Sequence, residues 1–360
     1  TLADATASLV GVDAKVVAVS VGANQLDATG QATHIATATD GVVLSGVGAD
    51  AVADAIVDGL TSLPVTVTAN SVCDAGLSVS LSPASLTVTS GEDAVFTETI
   101  GNPLGNVVDL EAFAAAAHAV GVPLIVDNTV PSPALIRPFE WGADVVVHSL
   151  TKYLGGHGNS IGGAIIDGGS FPWFDHAEKF PGLTRPEPAY QNAVFAEQFP
   201  QAALVVRARA VLLRSLGAAI SPFNAFLILQ GIETLPLRLR QVGENALAVA
   251  RHLEAHPDVE WVRYAGLPSH PDHELLLKYA GGKSSGLVSF GIKGGYEAGA
   301  SFINALELIT HLVNIGDAKS LACHPASTTH HQLSEEQLRE AGLGQDLVRL
   351  VIGIEHIDDI

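Results

Sequence analysis

An α/β fold, with a largely parallel sheet covered by helices, is predicted for most of this 360-residue chain by three features. From about Thr97 onward, short apolar runs alternate with stretches whose apolar residues recur at helical spacing. Two of the short runs, PLIVDN and DVVVHS, are almost continuously apolar, as strands buried on both faces are. The stretch from Pro222 through His256 repeats apolar positions every three or four residues for far longer than a strand runs.

Taken in order, KVVAVSVG from Lys15 reads as a buried strand, and the following turn-rich segment leads to GADAVADAIVDGL, residues 48–60, a helical pattern. Residues 1–70 therefore read as part of a doubly wound α/β unit. Residues 71–96 differ: SVSLSPASLTVTSGEDAVF alternates apolar and hydroxyl residues with period two, broken at Ser82-Pro83 and Ser90-Gly91, which predicts sandwich-like strands. After ETIGNP come a helix in DLEAFAAAAHAVG, a strand in VPLIVDN and a strand in ADVVVHS. Residues 97–225 form the expected large domain. From 226 to 360, the long helix leads to a smaller α/β domain with strands in WVRYAGL, GLVSFGIKGG and RLVIGIE and a helix in EAGASFINALELI.

Composition narrows the function. With 48% hydrophobic and 16% charged residues the chain can bury a large core. Its formal net charge of −20 opposes nucleic acid and acidic membrane surfaces, because the phosphate field repels it. A small-molecule ligand is the expected partner. Lys15 is the only Lys or Arg before Arg137, so an anion bound by the first third must rely on backbone N–H groups and hydroxyls. Cys73 and Cys323 match no metal spacing and are read as ordinary small residues. No apolar run is long enough to span a bilayer and no signal peptide opens the chain; because the sequence begins at Thr1 and contains no Met, that absence says little about the compartment.

The chemistry gathers where two predicted parallel strands end, at VDN (126–128) and HSLTKYLGGHG (148–158). Ligands in open α/β sheets collect at such carboxyl ends. Lys152 is one of seven lysines and follows an apolar strand, a place where burial disfavours the ammonium. Spacing alone leaves an exposed strand-end lysine beside a Gly turn as an equal reading. His148, His157, His324, His330 and His331 show no HExxH or similar spacing, so no metal is expected. Asp109 and Asp144 read as cap and turn residues.

The runs IGNPLGNVVDLEAF, PLIVDNT, ADVVVHSLTKYLGGHGNSIGGAIIDGG, NIGDAKSLACHPASTTHHQLS and RLVIGIEHIDD resemble the O-acetylhomoserine sulfhydrylase branch of the cystathionine-synthase-like enzymes, over residues 97–360. That resemblance implies the pyridoxal-phosphate-dependent transferase fold of the aspartate aminotransferase type. It implies Lys152 as the lysine that bonds the cofactor and acts as general base, and Asp127 as partner of the pyridine nitrogen. Ser149 and Thr151 resemble phosphate ligands and Asn102 the asparagine beside the phenolic oxygen. Arg349 resembles the arginine that grips the substrate carboxylate, and Ser320 the residue lining the substrate side. The implied reaction is γ-replacement of acetate by sulfide or a thiol to give homocysteine. The implied setting is the cytoplasm and the implied assembly a homotetramer; γ-elimination of the cystathionine or methionine lyase type is the alternative.

Residues 1–96 lack the family's Gly/Ser-rich phosphate turn, stacking ring and phosphate arginine, since Phe96 is their only aromatic residue and they contain no Arg. They resemble the end of a von Willebrand factor A domain followed by immunoglobulin-like strands of secreted proteins, without the DxSxS metal motif. The expected account is a chimera: the N-terminal part of the large domain is replaced by an unrelated segment, with the junction near AVFTETI and activity open to loss. A non-catalytic extracellular binding module with a degenerate enzyme tail is the other reading.

Overall fold

The computed structural model describes the strands at 17–21, 42–47, 79–80 and 85–86, and residues 95–360 apart from 333, 335, 337 and 339–342. The expected helix at 48–60 lies outside the described residues. Residues 1–70 and 71–360 form two compact units. In the first, β1 (Val17–Val21) pairs in parallel with β2 (Val42–Val47), Val17 opposite Val42.

In the second unit, β3 (Val79–Ser80) and β4 (Ser85–Leu86) pair antiparallel. A four-stranded sheet follows in the order β5 (Val95–Glu98), β6 (Leu124–Asp127), β7 (Val145–Ser149) and β8 (Gly163–Asp167). β5, β6 and β7 are parallel and β8 runs antiparallel beside β7. β5 crosses the expected boundary between residues 96 and 97: Val95, Phe96, Thr97 and Glu98 all have partners on β6.

Helix α1 (Leu110–Ala119) connects β5 to β6. Asp109 caps it, accepting from the Ala112 N–H at 3.3 Å, and Leu110, Phe113, Ala114 and Ala117 form the buried stripe that one helical face requires. Asp144 ties the next turn down by accepting from Leu124 N–H at 2.8 Å and pairing with His118 Nε2 at 2.8 Å. Both carboxylates are thus structural.

The long helical stretch is two helices, α2 (Pro222–Glu233) and α3 (Leu235–Ala255), where one continuous helix was expected. The break falls at Thr234 because Pro236 has no N–H to donate and its ring crowds the carbonyl four residues back. Pro222 at the first helical position and Ser221 as cap, accepting from Asn224 N–H at 3.1 Å, begin α2.

A second sheet has the order β11 (Thr310–His311), β12 (Leu321–Cys323), β13 (Leu347–Val351), β10 (Leu287–Ile292) and β9 (Val259–Arg263). Its strands pair antiparallel except β11 with β12, so strand–helix alternation after residue 259 did not imply a parallel sheet there. Helices α4 (His273–Ala280) and α5 (Gly295–Ala305) fill the connections. α3 serves both cores: Leu235, Leu239 and Val242 belong to the cluster around the first sheet, Ala246 and Ala250 to that of the second. That shared helix fixes where the two sheets present their loops to each other. Among the described residues no helix is long and apolar enough to cross a membrane.

Candidate active site

Asp127 ends β6 and Ser149 ends β7, so the parallel register brings both to the carboxyl edge of the sheet. Thr129 links them: its N–H donates to Asp127 Oδ1 at 2.9 Å, and its Oγ1 accepts from Ser149 N–H at 2.8 Å. Asp127 Oδ2 and Ser149 Oγ have no hydrogen-bond partner among the described residues. Thr151 Oγ1 accepts from Gly162 N–H at 3.2 Å and lies 3.4 Å from Gly162 O. His148, on the same strand, is buried with Nδ1 unpartnered; burial pushes its pKa down and the Asp127 carboxylate partly restores it.

Lys152 lies in the turn that follows β7, half-buried, and its Nζ donates to Asn314 Oδ1 at 2.5 Å. Burial, and then the positive charge of Arg349, hold its pKa below the usual lysine value. Arg349 stands on β13 at 6% exposure. Its Nη1 donates to Asn102 Oδ1 at 3.1 Å and its Nη2 to the Asn314 carbonyl at 3.1 Å, while its Nε is buried without a partner. No carboxylate neutralises it among the described ion pairs. A buried guanidinium held by neutral carbonyl oxygens is a site prepared for an anion, since its desolvation is only partly compensated.

The loop carrying Asn102 is docked on the second sheet by Ser289 Oγ, which donates to Pro103 O at 2.6 Å, and on the start of α4 by Val107 N–H, which donates to Asp272 Oδ2 at 3.0 Å. Lys152, Asn102 and Arg349 therefore converge from the turn after β7, an adjoining loop and the second sheet. Ser320 is placed differently: fully buried, it gives its N–H and Oγ to the Glu355 carboxylate at 2.6 and 2.9 Å, and its Oγ accepts from Gly353 N–H. It organises the segment beside β13 and hydrogen-bonds to neither Lys152 nor Arg349.

Three participants escaped the sequence reading. Asn314, the first residue of the run NIGDAKS, holds both Lys152 and Arg349. Thr129 and Glu355 act through backbone and serine contacts that no spacing rule signals. No cluster of three or more His, Cys, Asp or Glu suited to a metal occurs among the described residues.

The donor set fits an aldehyde-bearing, phosphorylated pyridine ring. A lysine amine with lowered pKa meets the aldehyde, a carboxylate with one oxygen uncommitted meets a protonated ring nitrogen, and hydroxyls near the strand ends meet phosphate. A parallel sheet with such a lysine after a strand defines a cofactor-dependent α/β enzyme class. The chain belongs to the Cys/Met metabolism PLP-dependent enzyme family, whose profile matches residues 14–360.

That match overlaps much of the segment whose sequence reads as foreign. Curated relatives align with 74% of the chain. It is 50% identical over 268 residues to O-acetyl-L-homoserine sulfhydrylase 1 of Thermus thermophilus, covering 63% of that protein. It is 48% identical over 268 residues to homocysteine synthase of Schizosaccharomyces pombe, covering 62%. The chain thus spans less than two thirds of these relatives' length. A solved chain of Campylobacter jejuni, described as an O-acetylhomoserine (thiol)-lyase with a pyridoxyl-lysine phosphate group, superposes on 99% of this chain with a TM-score of 0.72 at 31% identity, covering 78% of that chain.

Proposed function

We propose that this chain binds pyridoxal phosphate and takes part in γ-replacement on O-acetylhomoserine by sulfide or a thiol, giving homocysteine. The observation that carries this reading is the Lys152–Asn314–Arg349 arrangement, an amine of lowered pKa beside an unneutralised, buried guanidinium. The names of the relatives supply the substrate class.

Pyridoxal phosphate, when bound, supplies an electron sink for carbanion chemistry. Asp127 is assigned to its ring nitrogen, Ser149 and Thr151 to its phosphate, Asn102 to its phenolic oxygen side, and Lys152 to its aldehyde carbon. With the cofactor bound, Lys152 would hold its aldehyde and its Nζ would serve as the base for the substrate α-proton, a role that the lowered pKa suits by favouring the neutral amine. Asn314 Oδ1 aims that nitrogen. Arg349 exchanges its two carbonyl partners for the substrate carboxylate, whose planar pair of oxygens matches the guanidinium fork. Ser320, with Glu355, braces the segment that faces the substrate.

Homo-oligomerisation belongs to the same proposal. α2 exposes Phe223, Phe226 and Leu229 at 68%, 55% and 59%, a run of large apolar side chains along one helix that a second subunit would cover. Incubating the purified chain with cofactor, O-acetylhomoserine and sulfide should yield homocysteine, and Lys152→Ala should yield none. Formation of 2-oxobutanoate and ammonia instead would assign elimination. Neither product from well-folded protein supplied with cofactor would reject the reading for this chain.

A further inference from the structure

The turn that carries Lys152 is closed by Gly155 N–H donating to Leu150 O at 2.9 Å and Gly156 N–H donating to Lys152 O at 2.7 Å. The next two carbonyls, of Tyr153 and Leu154, are met from outside by one side chain. Arg238 of α3, at 7% exposure, donates from Nη1 to Tyr153 O at 2.8 Å and from Nη2 to Leu154 O at 3.4 Å and to Gly231 O at 2.6 Å. Its Nε donates to Thr234 Oγ1 at 3.2 Å, so all three guanidinium nitrogens are used.

The surroundings are built to admit this group. A Cβ on Gly156, at φ +72°, would lie 2.2 Å from Arg238 Nη1, and a Cβ on Gly231 would lie 2.0 Å from Gly155 O. No carboxylate pairs directly with Arg238 among the described ion pairs; Asp317 supports its charge from a distance, against burial that lowers its pKa. A buried cation without a direct counter-ion is costly unless its hydrogen bonds are fully made, and here they are made to the lysine turn and to the end of α2.

We propose that Arg238 is the positioning residue for Lys152: it fastens the turn after β7 to the α2–α3 junction and so sets where Nζ stands relative to Asn314 and Arg349. This rests on the assignment of Lys152 as the cofactor-bonding lysine. A lysine at 238 keeps the charge but not the planar fork that reaches three carbonyls, so it releases the turn.

The test reads the Lys152 amine itself, without cofactor. The full chain and its Arg238→Lys variant are labelled with acetic anhydride across a pH series, and modification of Lys152 is quantified by peptide mass spectrometry, with an added free lysine derivative as internal reference. The wild-type midpoint is expected below that of the free derivative. In Arg238→Lys it should rise towards it, as Nζ leaves its buried setting. An unchanged Lys152 midpoint in a folded Arg238→Lys protein, whatever its thermal stability, overturns the proposal. If that variant does not fold, Gly156→Ala, which keeps the guanidinium but forces Nη1 away, must produce the same shift or the proposal fails. Failure of pyridoxal phosphate to bind wild-type protein would count against the functional assignment of Lys152 and leave this readout intact.

Discussion

Lys152 is held in the folded protein with its pKa below the ordinary value of 10.5, chiefly by burial. Between that lowered pKa and 10.5 the unfolded chain binds more protons than the folded one, so stability rises with pH through this window and the cost of the buried ammonium is fully present below it. Lys152→Gln should therefore raise the thermal midpoint at neutral pH, with the gain shrinking as pH approaches 10.5; scanning calorimetry across that range measures it. His148 and His270 give the acid counterpart. Both are buried, with pKa pushed below 6.5 by burial, so stability should fall as pH drops from 6.5 through their folded pKa values. The double variant His148→Gln/His270→Gln should unfold with a flatter acid limb in urea titrations. At this scale the sequence was most informative where a residue type has few uses: a lysine after an apolar strand and an aspartate two residues into VDN. It was silent about Asn314, because an amide in a loop has many uses and only the meeting of the turn after β7 with the second sheet gives it one.

At the scale of elements, the turn after β7 is fixed by close contacts more than by its own propensity. Gly231 on α2 abuts Gly155 O so tightly that Gly231→Ala must separate helix and turn, costing about 1–3 kcal/mol as overpacking does. Tyr153, 1% exposed, accepts from Gly286 N–H at 3.0 Å, which joins the same turn to the start of β10. Burial pushes its phenol pKa up to about 12, so it remains neutral in ordinary buffers. Tyr153→Phe leaves the buried Gly286 N–H without an acceptor and should cost ~1–3 kcal/mol in denaturant unfolding. The strands at 124–127 and 145–149 were legible because neither face is exposed and the residues are nearly all apolar. The direction of the second sheet's strands was not. Antiparallel pairing of β10 with β9 and β13 depends on how long connections return, and hydrophobic periodicity carries no sign of strand direction. The division of α2 from α3 was readable from Pro236, although the apolar repeat continues across it.

Across the whole molecule, α3 contributes to both cores, so the first sheet's lysine turn and the second sheet's arginine are located by one helix. Truncating Leu239, 2% exposed in the first core, to Ala should cost ~2–5 kcal/mol and loosen that coupling, visible as a lower denaturation midpoint. The family was legible because long runs around the site stand together in one chain, and the profile match from residue 14 to 360 bears out that likeness. The early segment was less readable: its strands Val17–Val21 and Val42–Val47 pair in parallel, as a doubly wound pattern predicts, yet small-residue α/β sequence fits many families. Its likeness to secreted modules gains no support from the relatives, which match the later 74% of the chain.

Whether Lys152 holds pyridoxal phosphate is read from the visible absorption spectrum of the purified chain after incubation with the cofactor and removal of excess. A band characteristic of lysine-bonded cofactor should appear in the wild-type protein, disappear with Lys152→Ala, and map to Lys152 after borohydride trapping and peptide mass spectrometry. An equal band in Lys152→Ala, or no band in wild-type protein that unfolds cooperatively, would contradict it.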